Sequence, residues 1–291
     1  MVKTISELYQ ETRNMLLTQE DPDGATFYAR NLLCHVTGKP LEWVLSNGQM
    51  YVDEKVCQGL EQAVTRLLAG EPLAYVLGEW DFYGMRLQVN KNVLIPRDDT
   101  CAVTDLAISH ALFLGSNPRI LDLCTGSGCI GLAIAQRIRD AKVTLADISK
   151  DALTVAKSNV TQLKLTGRVT CYQADALGQP DNFLGKFDLI VSNPPYITSQ
   201  EMKELPHSVK DYEPHLALHG GEDGLIFYRS IADKYRQALK PGGLLCFEFG
   251  MGQGDDVCQI LEEYGYTVLE RSKDYNDRER AVIARYDRKE D

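Results

Sequence analysis

The chain has 291 residues, a formal net charge of −10 at pH 7 and a hydrophobic content of 44%. This composition supports a sizeable core, and no apolar run approaches the roughly 20 residues that a membrane-spanning helix needs. The acidic balance argues against broad binding to nucleic acid, which requires clustered lysine and arginine.

The first part of the chain has a helical period interrupted by short breaks. Apolar residues recur at helical spacing between Ile5 and Leu17, residues 25–36 predict a second helix, and Asp53 is a candidate cap for a helix ending at Leu68. We therefore interpret residues 1–72 as a small all-helical domain. Residues 73–92 are rich in strand formers and are broken by glycines, which predicts a β-hairpin linking two domains.

Residues 93–291 form the second domain in this interpretation. Asp98 to Thr100 is a candidate start for a helix running to Leu114, and Arg97 is expected to pair with Asp98 or Asp99. Strands and helices then alternate, which predicts an α/β fold with a mostly parallel sheet. The last two strands lack a full intervening helix and should form an antiparallel edge pair. The seven predicted strands are 119–123, 142–146, 169–172, 187–191, 244–249, 266–270 and 280–286.

A rigid corner follows the predicted strand 187–191, in the order Asn193, Pro194, Pro195 and Tyr196. The prolines fix the chain as it leaves the sheet, at the edge where ligands bind in open α/β sheets. The Asn193 side-chain oxygen and the Pro194 carbonyl offer two acceptors, which suit a planar –NH2 group, and Tyr196 can stack on it. The alternative is a rigid strand exit in which a buried asparagine satisfies the backbone.

A glycine-rich loop joins the first strand of this domain to the next helix. Gly126, Gly128 and Gly131 fit the G-x-G-x-x-G pattern of dinucleotide sites. Asp147 ends the second strand, close to the offset expected for a carboxylate on ribose hydroxyls, so an adenosine-type ligand is predicted. The alternatives are a NAD-type site for the loop and a helix N-cap role for Asp147.

Asp122 precedes the loop, and a carboxylate there favours a positively charged ligand over pyrophosphate. S-adenosylmethionine combines an adenosine with an amino group and a cationic sulfonium. Together, Asp122 to Gly128, Asp147 and Asn193 to Tyr196 resemble the motifs of class I S-adenosylmethionine-dependent methyltransferases. The predicted fold class is therefore a Rossmann-like seven-stranded methyltransferase sheet with a small all-helical N-terminal domain.

The resemblance extends over essentially the whole chain to one family, the bacterial release factor N5-glutamine methyltransferases (PrmC/HemK family). It rests on the helical first domain and on motifs at residues 71–75, 82–84, 94–97, 122–128, 193–196, 220–225 and 274–280. This family methylates the side-chain amide nitrogen of the glutamine in the Gly-Gly-Gln motif of class 1 peptide chain release factors. The helical domain and the loop after Tyr196 would bind that partner.

The resemblance also implies a role for individual residues. Glycine-loop residues would line the methionine part of S-adenosylmethionine, Asp147 would hold the ribose, and the adenine would lie near Ile148 and Asp175. The residues expected to bind the cofactor are Asp122, Cys124, Thr125, Gly126, Ser127, Gly128, Asp147, Ile148, Asp175, Ala176 and Asn193. The expected catalytic residues are Asn193, Pro194 and Tyr196, and Pro195 joins them in the substrate pocket.

The sequence departs from the family pattern at Asp98 and Cys101, where the family has Pro and Glu, and at Ala176, where some members have an aromatic residue. Rival interpretations are an N5-glutamine methyltransferase of a ribosomal protein, an adenine-N6 nucleic-acid methyltransferase and an inactive adaptor. The eight cysteines include no C-x-x-C pair, which indicates reduced thiols and no zinc site. We expect a cytoplasmic monomer that binds S-adenosylmethionine and a release factor, with no metal, membrane or direct nucleic-acid contact.

Overall fold

The computed structural model describes residues 3–287, which divide into two compact units. The helical unit comprises the described residues up to Glu79 together with His207–Tyr212, and the sheet unit comprises the others. The α-helices are α1 (Ile5–Leu16), α2 (Pro22–Thr37), α3 (Leu41–Ser46), α4 (Glu54–Leu68), α5 (Leu73–Leu77), α6 (Thr100–Ala111), α7 (Cys129–Arg137), α8 (Lys150–Gln162), α9 (Glu201–Glu204), α10 (His207–Lys210), α11 (Ile226–Lys234) and α12 (Gly254–Glu263).

The strands form a two-stranded hairpin and a seven-stranded sheet. The hairpin contains β1 (Glu79–Phe82) and β2 (Met85–Gln88). The sheet contains β3 (Arg119–Leu123), β4 (Lys142–Asp147), β5 (Val169–Gln173), β6 (Phe187–Ser192), β7 (Leu239–Glu248), β8 (Tyr266–Lys273) and β9 (Glu279–Tyr286).

The helical unit begins and ends its helices where the sequence provides caps. Thr4 forms a capping box with Glu7 at the start of α1, and Asp53 caps α4 as predicted. The left-handed Gly38 ends α2. The core of the helical unit consists of apolar side chains on one face of each longer helix: Leu8, Leu16, Ala25, Ala29, Leu32, Leu33, Leu60 and Val64.

The large sheet has the strand order β5-β4-β3-β6-β7-β9-β8. The strands from β5 to β7 are parallel, while β9 runs antiparallel to both β7 and β8. The predicted parallel sheet and its antiparallel edge pair are therefore confirmed. Since β4 lies on one side of β3 and β6 on the other, the chain reverses its direction of winding at β3.

Helices cover both faces of this sheet, as its apolar central strands require. On one face, α6, α7 and α8 bury residues such as Val103, Ile134 and Val160. On the other face, α11 and α12 bury Tyr228 and Leu261 against strand residues. In the central strands β3 and β6, every residue after Arg119 and Asp188, respectively, is buried, so the carboxyl ends of these strands are held in fixed positions.

Several local predictions differ from the structure, among them the fifth strand of the sheet, which begins at Leu239 and not at residue 244. Residues 73–77 form helix α5 instead of a strand, because Pro72 precedes its first turn and the left-handed Gly78 ends it. The predicted helix near residue 98 begins at Thr100 and ends at Ala111. The loop after Tyr196 contains two single-turn helices, α9 and α10. Within residues 3–287, no helix is long and apolar enough to cross a membrane.

Candidate active site

A cleft lies where β3, β4, β5 and β6 end, at the point where the winding of the sheet reverses. Its empty volume, which includes space open to solvent, is about 1040 Å³. Ten of the residues predicted from the sequence line it, and they come from four separate strand ends: Cys124, Thr125, Gly126, Ser127, Asp147, Ile148, Asp175, Ala176, Asn193 and Pro195. The cleft therefore joins the predicted cofactor loop to the asparagine corner.

The glycine loop adopts backbone conformations that favour glycine. Gly126 and Gly128 have φ angles of 53° and 88°, and Cys124 is held at 61° although it carries a side chain. A Cβ atom at Gly131 would lie 2.9 Å from Oδ2 of Asp122 and would overlap a methyl group of Leu145. Glycine at position 131 therefore lets α7 approach the sheet closely.

Asp122 lies beneath this loop and is fully buried. Its Oδ2 accepts hydrogen bonds from Oγ1 of Thr125 at 2.6 Å and from the backbone N–H of Gly131 at 2.9 Å, while its Oδ1 has no partner among residues 3–287. Burial raises the pKa of Asp122 to about 7, although both hydrogen bonds oppose that shift. Asp122 braces the loop from behind and is not among the residues that line the cleft.

Asp147 lies at the end of β4 and connects the second strand to the loop. One carboxylate oxygen accepts a hydrogen bond from the Gly126 N–H and the other from the Ser149 N–H, each at 2.9 Å. Burial raises its pKa. Ser149, whose hydroxyl accepts from Ala152 N–H, caps α8, so the N-cap alternative for Asp147 is wrong. Asp147 lines the cleft beside Ile148, whose side chain is exposed.

The asparagine corner follows β6 directly, and Ser192 ties the end of that strand to β3 through a 2.6 Å hydrogen bond to the Leu123 carbonyl. Asn193 is half-buried and lines the cleft. Its Nδ2 donates to Oγ1 of Thr100 at 3.4 Å, which leaves Oδ1 as the acceptor atom of the side chain. The corner thus holds an amide whose nitrogen is engaged.

Four predicted residues, Asp122, Gly128, Pro194 and Tyr196, are outside the cleft lining that the described residues form. Tyr196 packs against the core beneath α11 and accepts a hydrogen bond from Gln253 through its carbonyl oxygen. Glycines approach its backbone closely, since a Cβ atom at Gly220 would lie 2.7 Å from Cα of Tyr196. Pro195 and Phe227 supply apolar lining instead.

The structure brings further residues to this corner that the sequence analysis did not assign to it. Glu248 ends β7 beside the asparagine corner and is 2% exposed, so a buried carboxyl group lies next to Asn193. Arg280 pairs with Asp99 at 2.8 Å and with Asp274 at 3.2 Å. The sequence pointed to this region only through the family motif at residues 274–280. Local patterns do not reveal the order of β6, β7 and β9, which brings Glu248 and Arg280 to Asn193.

Arg97 forms its ion pair with Glu213, 116 residues away, and not with Asp98 or Asp99. The Glu213 side chain is 1% exposed, and it also accepts a 3.2 Å hydrogen bond from the backbone N–H of Ile95. This pair fixes the segment around Pro214, which lines the cleft, to the segment that enters α6. Within residues 3–287, no group of three or more metal-binding side chains is present.

Comparisons with known proteins agree on a methyltransferase. Residues 104–245 match the "Methyltransferase small domain" and residues 7–78 match the "PrmC N-terminal domain". The chain is 38% identical over 253 residues to a release factor glutamine methyltransferase of Clostridium acetobutylicum, covering 87% of this chain and 88% of that protein.

Two further comparisons concern length and fold. A bifunctional methyltransferase of Rickettsia bellii is 36% identical over 87% of this chain, which spans half of that protein. The hMettl16 catalytic domain, solved with the MAT2A 3'UTR hairpin 6, has a TM-score of 0.55 at 17% identity, covering 72% of this chain and 77% of that one. At that identity the likeness concerns the fold alone.

Proposed function

This chain belongs to the family of release factor glutamine methyltransferases, and we propose that it transfers a methyl group to the side-chain amide nitrogen of a glutamine in a peptide chain release factor. The acceptor would be the glutamine of the Gly-Gly-Gln motif of class 1 release factors. The methyl donor would be S-adenosylmethionine, which leaves as S-adenosylhomocysteine when its S–CH3 bond breaks, and the methylated amide nitrogen then loses one proton to solvent. The observation that carries the proposal is the cleft that joins the glycine loop to Asn193.

The residues present in the cleft fit S-adenosylmethionine. The Ser127 hydroxyl is buried in the glycine loop without a hydrogen-bond partner in residues 3–287, as expected for a group that a ligand satisfies. Asp147 lines the cleft, and its carboxylate retains lone pairs for ribose hydroxyls. Ile148 and Asp175 lie where an adenine would follow. When bound, this cofactor supplies an electrophilic methyl group on a cationic sulfur.

The contribution of the chain's own residues is to orient a weak nucleophile. An amide nitrogen shares its lone pair with its carbonyl and attacks poorly. Because Asn193 Nδ2 donates to Thr100, the side chain would use its Oδ1 to accept one hydrogen of the glutamine –NH2. The Pro194 carbonyl, which belongs to the same corner but is outside the cleft lining of this structure, would accept the other once the substrate is bound. Two fixed acceptors hold the nitrogen in line and increase its electron density, so positioning and electrostatics supply the acceleration.

The helical unit is proposed as the part that binds the release factor, in agreement with its match to the PrmC N-terminal domain. Residues 207–212, from the loop after the asparagine corner, belong to that unit. The net charge of −10 argues against the adenine-N6 alternative, which needs a phosphate-binding surface. Translation factors act in the cytoplasm, so we place the enzyme there.

The test is methyl transfer from labelled S-adenosylmethionine to purified candidates: a class 1 release factor, the same factor with its Gly-Gly-Gln glutamine changed to alanine, ribosomal proteins and DNA. We expect label only on the unaltered release factor, and mass spectrometry should place the methyl group on the glutamine amide. Equal labelling of the glutamine-to-alanine factor, or transfer to DNA or a ribosomal protein alone, would overturn the proposal.

A further inference from the structure

Glu248 is a buried carboxyl group that the proposed reaction does not yet use. It is the last residue of β7, next to Phe247, which pairs in register with Ser192 of β6. The residues that follow in this register are Asn193 and Glu248 itself. Glu248 is 2% exposed, and its Oε2 atom has no hydrogen-bond partner within residues 3–287. A buried carboxyl oxygen without a partner requires an explanation.

Burial and the Asp99 carboxylate raise the pKa of Glu248, while three of the polar groups around it favour its charged form. The Thr100 hydroxyl and the Asn193 amide are hydrogen-bonding groups that lower the pKa of Glu248, and the Arg280 guanidinium lowers it further. Arg280 is itself held by ion pairs with Asp99 and Asp274. The arrangement places a carboxyl group next to the two side chains that make the Thr100–Asn193 hydrogen bond, and this group is negatively charged once the pH exceeds about 7.

We propose that Glu248 is a positioning residue that, with Thr100, holds the –NH2 group of Asn193 so that Asn193 Oδ1 faces the acceptor amide. The proposal rests on the proposed function, because it gives Asn193 the role stated there. An asparagine amide has two donor hydrogens and one acceptor oxygen, so a carboxylate behind it selects one of its two flipped orientations. The negative charge also polarises the amide and strengthens Oδ1 as an acceptor.

A protonated Glu248 would reverse this preference, because its O–H is a donor that competes for Asn193 Oδ1. Burial raises the pKa of Glu248 to about 7, so this change falls in an accessible range. Arg280 and Asp99 are the charged groups that face it. The other titratable neighbours have pKa values raised by burial and stay neutral near pH 7: Tyr196, Tyr228, Cys101 and Cys129.

The first test compares the pH dependence of turnover in three proteins with a release factor as acceptor. In the wild type, kcat should fall as the pH drops through about 7. Glu248→Gln should lower kcat by about tenfold or more at pH 8, leave the affinity for S-adenosylmethionine within about threefold, and remove the acid limb. Asp188→Asn neutralises a carboxyl at the opposite end of β6, near Lys240, and should retain the wild-type profile.

The second test does not depend on turnover. Selective 15N labelling of asparagine, with Asn193→Asp to assign the signal, follows the Asn193 side-chain –NH2 during a pH titration. Its resonance should shift with a midpoint near 7 in the wild type and stay constant in Glu248→Gln. If the wild-type Asn193 signal titrates in this way but the protein shows no turnover with a release factor, the proposed function is wrong and the positioning role of Glu248 is not. The positioning role is wrong if the Asn193 resonance titrates identically in the wild type and in Glu248→Gln, or if kcat of Glu248→Gln still falls at acid pH as in the wild type.

Discussion

The side-chain amide of Asn159 donates a 2.9 Å hydrogen bond to the carbonyl oxygen of Ser127, 32 residues earlier in the chain. The same side chain accepts from the backbone N–H of Gln88 at 2.7 Å and donates to its carbonyl at 3.0 Å. Asn159 is fully buried. One residue of α8 thus fixes the glycine loop to the second strand of the hairpin.

Asn159→Asp should weaken the binding of S-adenosylmethionine. The variant keeps an acceptor for Gln88 N–H but loses both donors and places a negative charge beside two carbonyl oxygens. We expect the dissociation constant to rise by about tenfold or more, which corresponds to the loss of one or two buried hydrogen bonds. Isothermal titration calorimetry measures it.

The matched control for this prediction is Gln162→Glu. Gln162 is an exposed residue at the end of α8 that also donates to a hairpin carbonyl, that of Arg86, but does not contact the loop. The affinity of Gln162→Glu for S-adenosylmethionine should equal that of the wild type. Unchanged affinity in a folded Asn159→Asp protein would mean that the loop holds its shape without this bond.

Asn193→Ala should abolish turnover and spare cofactor binding. The substitution removes the acceptor oxygen aimed at the reacting amide, which acts mainly in the transition state. We expect kcat to fall at least about 100-fold while the affinity for S-adenosylmethionine changes less than about tenfold. Asn276→Ala, at an exposed position, serves as the control. Near-normal turnover of Asn193→Ala would make the corner purely structural.

Asp122→Asn should change how stability depends on pH. The pKa of Asp122 is about 7 in the folded protein and about 3.8 in the unfolded chain, so the folded state keeps a proton that the unfolded state releases. The stability that this difference provides is complete below about pH 4 and is lost as the pH rises towards 7. Asparagine cannot ionise, so the variant escapes that loss.

Thermal unfolding of the wild type and of Asp122→Asn between pH 5 and 8 tests whether the stability contributed by Asp122 is lost as the pH rises. The melting temperature of Asp122→Asn minus that of the wild type should increase with pH. Glu248 contributes a pH dependence of the same sign to both proteins, so the difference between them isolates Asp122. A constant difference would show that Asp122 is ionised in the folded protein throughout this range.

Removal of Arg97 should destabilise the sheet unit through Glu213. Arg97→Met removes the cationic partner of a buried carboxylate that also accepts from the Ile95 N–H, at a cost of about 1–3 kcal/mol in the free energy of unfolding. Glu213→Gln in the same protein should recover part of this loss, since no buried charge then remains. Urea unfolding of both single variants and the double variant measures the energetic coupling between Arg97 and Glu213. If the changes in the free energy of unfolding are strictly additive, the predicted coupling is absent.

Local patterns in the sequence predicted much of this protein. The alternation of apolar runs with helical periods gave the seven strands and their parallel arrangement, because each element must bury its own apolar face. The glycine loop and the asparagine corner were also readable, since Gly126 and Pro194 restrict the backbone of their own segments. The glycine loop and the asparagine corner border one cleft because parallel strands present their carboxyl ends at the same edge of a sheet.

Tertiary structure alone decided which distant side chains meet at that edge. Glu248 lies beside Asn193 because β7 pairs with β6, and Arg97 binds Glu213 across 116 residues. Tyr196 turns into the core beneath α11 because glycines admit it there. Local patterns fix conformation over a few residues, whereas burial and charge pairing depend on neighbours that the complete packing of the chain supplies.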